Sequence, residues 1–205
     1  MRTHMKRLLV FGVLATMSVA CGSTTPAMPN PVTEPVIDQP GQYLVRYRDT
    51  VIEIVLDTKF AAKNPGEEWL ILNTALSGMT GANTEVAREM ISIRTPDGRT
   101  FTLPSYREFN AAYNKLAPTI RRASLASDPL DFTRASRRDC LIDFFPLPGS
   151  GRSARTSLHV SKNELCVGML YFPIPNGVQP GNWKLTVEFE ETEAVVPFTI
   201  EVEKP

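Results

Sequence analysis

Apolar positions in the C-terminal half alternate with a period of two. In Trp183 to Glu190 the apolar set is Trp183, Leu185, Val187 and Phe189, with Lys184, Thr186 and Glu188 between them. Beyond the polar turn Glu191-Thr192-Glu193, the residues Val196, Phe198, Ile200 and Val202 alternate in the same way. This pattern predicts a half-buried antiparallel hairpin, one face on a core and one in water. Upstream, Val51 to Leu56 alternates around Ile52, Ile54 and Leu56, Asn64-Pro65-Gly66 reads as a turn, and Trp69 to Leu72 as a continuous apolar strand. Met90–Arg94 and Arg99–Leu103 flank Thr95-Pro96-Asp97-Gly98, whose Asp-Gly pair supplies the positive φ that a tight turn requires. Cys140 to Phe145 and Leu165 to Ile174 add two strands, the second apolar on both faces and therefore expected to be central. Eight or so short strands separated by turns predict a mainly β fold, an antiparallel β-sandwich.

One segment has a different period. Ser105 and Glu108 fit a helix capping box, and Phe109, Ala112, Tyr113 and Leu116 follow at helical spacing until Pro118. The expectation is a short helix over 106–117 in a long connection, then an irregular arginine-rich excursion over 118–139 and a Gly/Ser-rich loop from Pro146 to Ser157. The tract from 22 to about 42 holds five prolines among Thr, Ser and Asn and few large apolar groups, too few to offset the entropy of ordering. It reads as a disordered tether with a reach of roughly 60 Å in the polyproline limit. The expected domains are therefore 1–20, a signal; 21–42, a Pro/Thr-rich tether; and 43–205, one globular β-domain of ordinary size.

The N-terminal residues carry the sharpest motif. Lys6 and Arg7 precede the mostly apolar run Leu8 to Met17, which closes on Ser18-Val19-Ala20 before Cys21. A charged head, a short apolar run and a small-residue cleavage site are the parts of a secretory signal. Leu8 to Ala20 is too short to cross a bilayer as a helix. Ending directly on cysteine, the segment resembles the signal peptides of bacterial lipoproteins. That resemblance implies lipidation of Cys21, a membrane contact through the N-terminal lipid, and an envelope location, the outer membrane if the cell is Gram-negative. Ser18 stands where the lipoprotein pattern favours Leu, and Ser18-x-Ala20 also suits the ordinary signal peptidase, which leaves a secreted or periplasmic protein.

With Cys21 assigned to lipid, Cys140 and Cys166 remain, and an even remainder in an oxidising compartment predicts one disulfide. Loss of residues 1–20 removes Arg2, Lys6 and Arg7 from the 22 basic residues and none of the 22 acidic ones. A mildly acidic balance is no nucleic-acid footprint. Past the signal the only histidine is His159, and no Gly-x-Ser-x-Gly elbow or glycine-rich phosphate loop accompanies it. A single histidine is a poor start for a zinc or copper site, and Asp128 with Asp131 lacks the carboxylate density of a calcium loop. No cofactor or metal is expected.

Charge is unevenly distributed. Between Pro118 and Ser157 lie seven arginines against four aspartates, and between Gly181 and Pro205 six glutamates against two lysines. Arginine in place of lysine favours bidentate contact with carboxylate or phosphate. Arg121, Arg122, Arg134, Arg137 and Arg138 are therefore candidates for contact with an envelope protein or an acidic polymer. The alternative is that the basic loops fold back on the acidic hairpin or simply stay solvated.

Gly181-Asn-Trp183-Lys-Leu-Thr-Val with Phe198-Thr-Ile-Glu-Val202 looks like the closing strand pair of secreted immunoglobulin-like domains. The order of parts is similar to small bacterial lipoproteins with a telokin-like, immunoglobulin-fold domain of unknown function. The likeness rests on Trp69 to Asn73, the hairpin Ile91 to Leu103, the strand Val167 to Pro173 and the closing pair. It implies an immunoglobulin-like sandwich and transfers no catalytic residues. The functional expectation is a non-catalytic binding or structural module held at the envelope, with a hydrolase or sugar-active enzyme as the alternative.

Overall fold

The computed structural model describes residues 34–130, 137–190 and 192–201. These form a mainly β fold with several antiparallel sheets and two helices. One sheet contains β1 (Val36–Gly41), β2 (Leu44–Arg48), β3 (Ile52–Asp57), β4 (Trp69–Gly78), β10 (Glu164–Pro173) and β8 (Arg138–Leu141), in the order β1-β2-β3-β4-β10-β8. All its neighbours are antiparallel except β8 and β10, which run parallel. A second sheet has the order β12-β11-β6-β7, from β6 (Ile91–Arg94), β7 (Thr100–Thr102), β11 (Gly181–Glu188) and β12 (Glu193–Ile200). A ribbon of β5 (Thr84–Ala87) and β9 (Ser157–Val160) is hydrogen-bonded into neither sheet but packs Val86, Leu158 and Val160 into the same core.

The period-two pattern sets the core. Trp183, Leu185 and Val187 on β11 and Ala194, Val196, Phe198 and Ile200 on β12 are buried, while Lys184, Pro197 and Thr199 between them are exposed. Pro197 is tolerated because β12 is an edge strand, where a missing N–H breaks no ladder bond. These side chains join Ile54, Leu56, Leu70, Leu72 and Phe172 of the first sheet in one continuous core. Trp183 and Phe198 face each other across the hairpin with rings stacked at 6.4 Å, and the Trp183 indole donates to the Gln179 carbonyl. The Asp-Gly turn forms as expected, with Gly98 at φ +86° and its N–H donating to Thr95 O. Asp97 accepts from Thr95 and Arg99, which holds its carboxyl down at about 2.

The helix is longer than its proline predicts. α2 spans Tyr106–Ala126, begins on the Ser105/Glu108 capping box, and contains Pro118. Phe109, Leu116, Thr119, Ile120 and Ala123 form one buried stripe that continues past the proline. Pro118 and Asn114 both lie on the exposed side, so the Asn114 carbonyl deprived of its N–H partner faces water, and packing of the stripe outweighs the roughly 3 kcal/mol proline penalty. The expected irregular excursion thus starts after residue 126.

α2 lies on the face of the first sheet that points away from the second sheet. Phe109 packs at 5.0 Å from both Tyr171 on β10 and Phe145. The same face is covered further along by the chain after α2: Leu130 buries Val55, Ala75 and Leu165, and the Asp128 N–H donates to Asp57. Burial pushes the Asp57 carboxyl up, opposed by that bond and by one from the Lys59 N–H. β3 is consequently buried on both faces, although its sequence alternation predicts one.

Four further boundaries differ from the sequence reading. Val36–Gly41, expected within the tether, is a strand paired with β2 and tied to it by Arg46–Asp38 at 2.6 Å. The strand expected over Cys140–Phe145 ends at Leu141, because Phe144 and Phe145 turn into the core. Short α1 (Lys59–Lys63) buries Phe60, Ala61 and Ala62. The strands β5 and β9 were not distinguished by pattern, being only four residues each. Val202 lies outside the described residues, as does Cys21 with the whole signal segment.

Candidate functional site

Cys140 and Cys166 face each other in the β8–β10 register and form a disulfide. Both thiols are thereby consumed, so neither can serve His159 as a nucleophile. His159 itself is exposed on β9, opposite Glu85. Asp128 pairs with Lys59, and Asp131 lies outside the described residues. Among the described residues there is no cluster of three or more metal-ligating side chains, and no helix is long and apolar enough to cross a membrane.

The arginines singled out by charge do not form one surface. Arg122 bonds Glu67 at 2.7 Å and lies over the Phe60 ring. Arg137 bonds Glu53, a nearly buried carboxylate on β3, at 2.7 Å. Arg138 approaches Glu164 at 3.3 Å. Their partners are therefore acids of the first sheet and its loops, and not the C-terminal glutamates. Arg134 lies outside the described residues. Arg121 is different: it is exposed on α2 and makes no ion pair among the described residues.

Arg121 borders an exposed surface where several large apolar side chains gather. Two clefts of about 210 and 270 Å³ share Ile120, Ser124 and Leu147 and run together as one groove between α2 and the chain that follows β8. Met169 and Tyr171 of β10 line its floor. Burial pushes the Tyr171 phenol up, so it stays a neutral hydroxyl at physiological pH. Leu125, Leu141 and Leu147 line the groove while 83%, 51% and 37% exposed. Large apolar side chains gathered at one exposed site mark an interaction surface more often than isolated ones do. The charged rim is Arg121 together with Arg152, which pairs with Asp143 at 2.8 Å. α2 as a whole carries Arg107, Lys115, Arg121 and Arg122 against the single acid Glu108.

Sequence reasoning reached Arg121 but missed the leucines. With the helix carried through Pro118, Leu125 falls five residues beyond Ile120, off the buried stripe and onto the polar face. That misplacement was the readable signal.

A second feature lies at the other end of the same layer. Trp69, the first residue of β4, is half-buried and lines two clefts. One, of about 380 Å³, is walled by the 65–68 turn and by Lys115, Leu116 and Thr119 of α2. The other, of about 450 Å³, is walled by 100–104, Glu108 and Pro173. Lys115 and Glu68 pair at 2.6 Å across the first.

Comparison with protein-family models, with curated proteins and with solved structures returns no match.

Proposed function

We propose that this chain is an envelope lipoprotein, anchored through Cys21, whose folded part is a non-catalytic interaction module. Its docking surface is the leucine-lined groove beside α2, and its partner there is an apolar protein segment flanked by acidic residues. The observation that carries this reading is the gathering of Leu125, Leu141 and Leu147 around one groove. The basic balance of α2 and Arg121 on the rim, which has no ion pair among the described residues, supply the charge complementarity that selects an acidic flank.

The scaffold reading is an immunoglobulin-like sandwich of the telokin-like kind. Support comes from strand order: β3-β4-β10-β8 follows the A-B-E-D order of such domains, and β12-β11-β6 follows G-F-C, with β7 in the C′ place. The parallel β8–β10 pair and the added β1–β2 strands depart from that plan.

For the anchor, Cys21→Ser is expected to move the protein from the membrane to the soluble fraction or to stall its processing, and to abolish labelling by a clickable palmitate. Stable anchoring takes more than one acyl chain, at about 0.8 kcal/mol per buried methylene. A cleaved, mature-size Cys21→Ser protein that still sediments with membranes would remove lipid as the anchor.

For the groove, crosslinking and capture from detergent-solubilised envelopes should recover the same partner with wild-type protein and lose it with Leu125→Asp. Arg121→Glu should weaken capture and flatten its salt dependence. Both positions are exposed, so melting should change by no more than about 0.5 kcal/mol. Capture indifferent to both substitutions overturns the reading. So does self-association in sedimentation that Leu125→Asp abolishes, since the occupant would then be a second copy of this chain.

A further inference from the structure

We propose that the paired clefts at Trp69 form a binding site for a neutral oligosaccharide, a site separate from the leucine groove and independent of the docking reading. Trp69 is the only aromatic residue that both clefts share. It is half-buried, so its indole is fixed by the core below while part of it stays accessible. A fixed, accessible indole offers a flat apolar face to the axial C–H groups of a pyranose ring and a polar N–H at its edge. No partner for the Trp69 indole N–H exists among the described residues, whereas that of Trp183, the second tryptophan, is taken by Gln179.

The walls supply what the hydroxyls of a sugar need. Glu67, Glu68 and Lys115 stand in one cleft; Thr100, Thr102 and Glu108 stand in the other. Carboxylates accept from sugar hydroxyls in charge-assisted hydrogen bonds, and each carboxylate here keeps lone pairs beyond its protein partner. Glu67 is paired with Arg122 and Glu68 with Lys115, so Glu108 leaves a small acidic excess on the walls, which disfavours uronates and sulfated sugars and leaves neutral ones favoured. Both volumes, about 380 and 450 Å³, fall within the roughly 300–1,000 Å³ of small-molecule sites. Two such clefts with a common wall fit a chain of rings rather than a monosaccharide.

The two tryptophans make the test direct. Trp183 is 1% exposed, so fluorescence quenchable by acrylamide comes from Trp69. Titration of the intact protein with chitotriose and with cellotriose is expected to give a saturable emission change and several-fold protection from acrylamide. In ¹⁵N spectra the Trp69 indole signal should shift while that of Trp183 stays in place. Trp69→Ala should abolish binding, and Glu68→Gln or Glu108→Gln should weaken it several-fold. Response to chitotriose alone supports the site with an acetamido requirement, and response to both supports it on hydroxyls only. Absence of any Trp69 response to either sugar up to its solubility limit overturns the proposal. Equal or tighter binding of trigalacturonate overturns it as well. The wild-type indole shift decides the matter even if Trp69→Ala fails to fold.

Discussion

Phe109→Ala is expected to destabilise the protein by about 3–5 kcal/mol, the range for truncating a buried aromatic side chain. Phe109 is fully buried and packs against four rings: Tyr106 at 6.3 Å, Tyr113 at 6.2 Å, and Phe145 and Tyr171 at 5.0 Å each. It is the principal peg that holds α2 to β10, so its removal opens a cavity between helix and sheet that these rings cannot refill. For a domain of this size, 1 kcal/mol moves the Tm by about 2–4 °C, and a fall of roughly 10 °C in a calorimetric scan is the expected sign. Urea unfolding should show a lower midpoint at an unchanged slope. A loss below about 1 kcal/mol would mean that the helix is not seated on the sheet. Leu125→Ala on the same helix should change stability by less than about 0.5 kcal/mol, because Leu125 is exposed.

Loss of the disulfide is expected to cost about as much. Closing the separation of 26 residues between Cys140 and Cys166 restricts the unfolded chain by about 3.5 kcal/mol in the chain-entropy model. β8 has little else to hold it, being four residues in a parallel pair at the sheet edge. In the Cys140→Ala/Cys166→Ala protein, or in wild type under reducing conditions, the unfolding free energy from urea titration should fall by that amount. Amide exchange should quicken first across 138–141. A non-reducing peptide map that returns two free thiols would refute the bond.

Local alternation made the C-terminal hairpin, the Asp-Gly hairpin and the central strand at 164–173 legible, because in each the period of the side chains and the turn chemistry agree. The capping box marked the start of α2 to the residue. Its end was illegible for a physical reason: propensity ends a helix at proline, but tertiary burial of Ile120 and Ala123 outweighs propensity. β1 was hidden in a proline-rich composition since its stability comes from pairing with β2 and from Arg46–Asp38, both non-local. The arginines were visible as a charge block, yet Arg122 and Arg137 find carboxylates 55 and 84 residues away, which no local pattern encodes. The leucine groove and the Trp69 clefts share that property. Each is assembled from α2 and strands distant in sequence.

The covalent link between β8 and β10 has a topological meaning as well. It closes a ring that contains the exposed run from Leu147 to Thr156, with Arg152 and Arg155 inside it. A protease that cuts this run opens the backbone without separating the pieces, because the central strand stays bonded to the segment before the cut. The protein can therefore survive a nick in this exposed loop as a two-chain molecule held by sulfur.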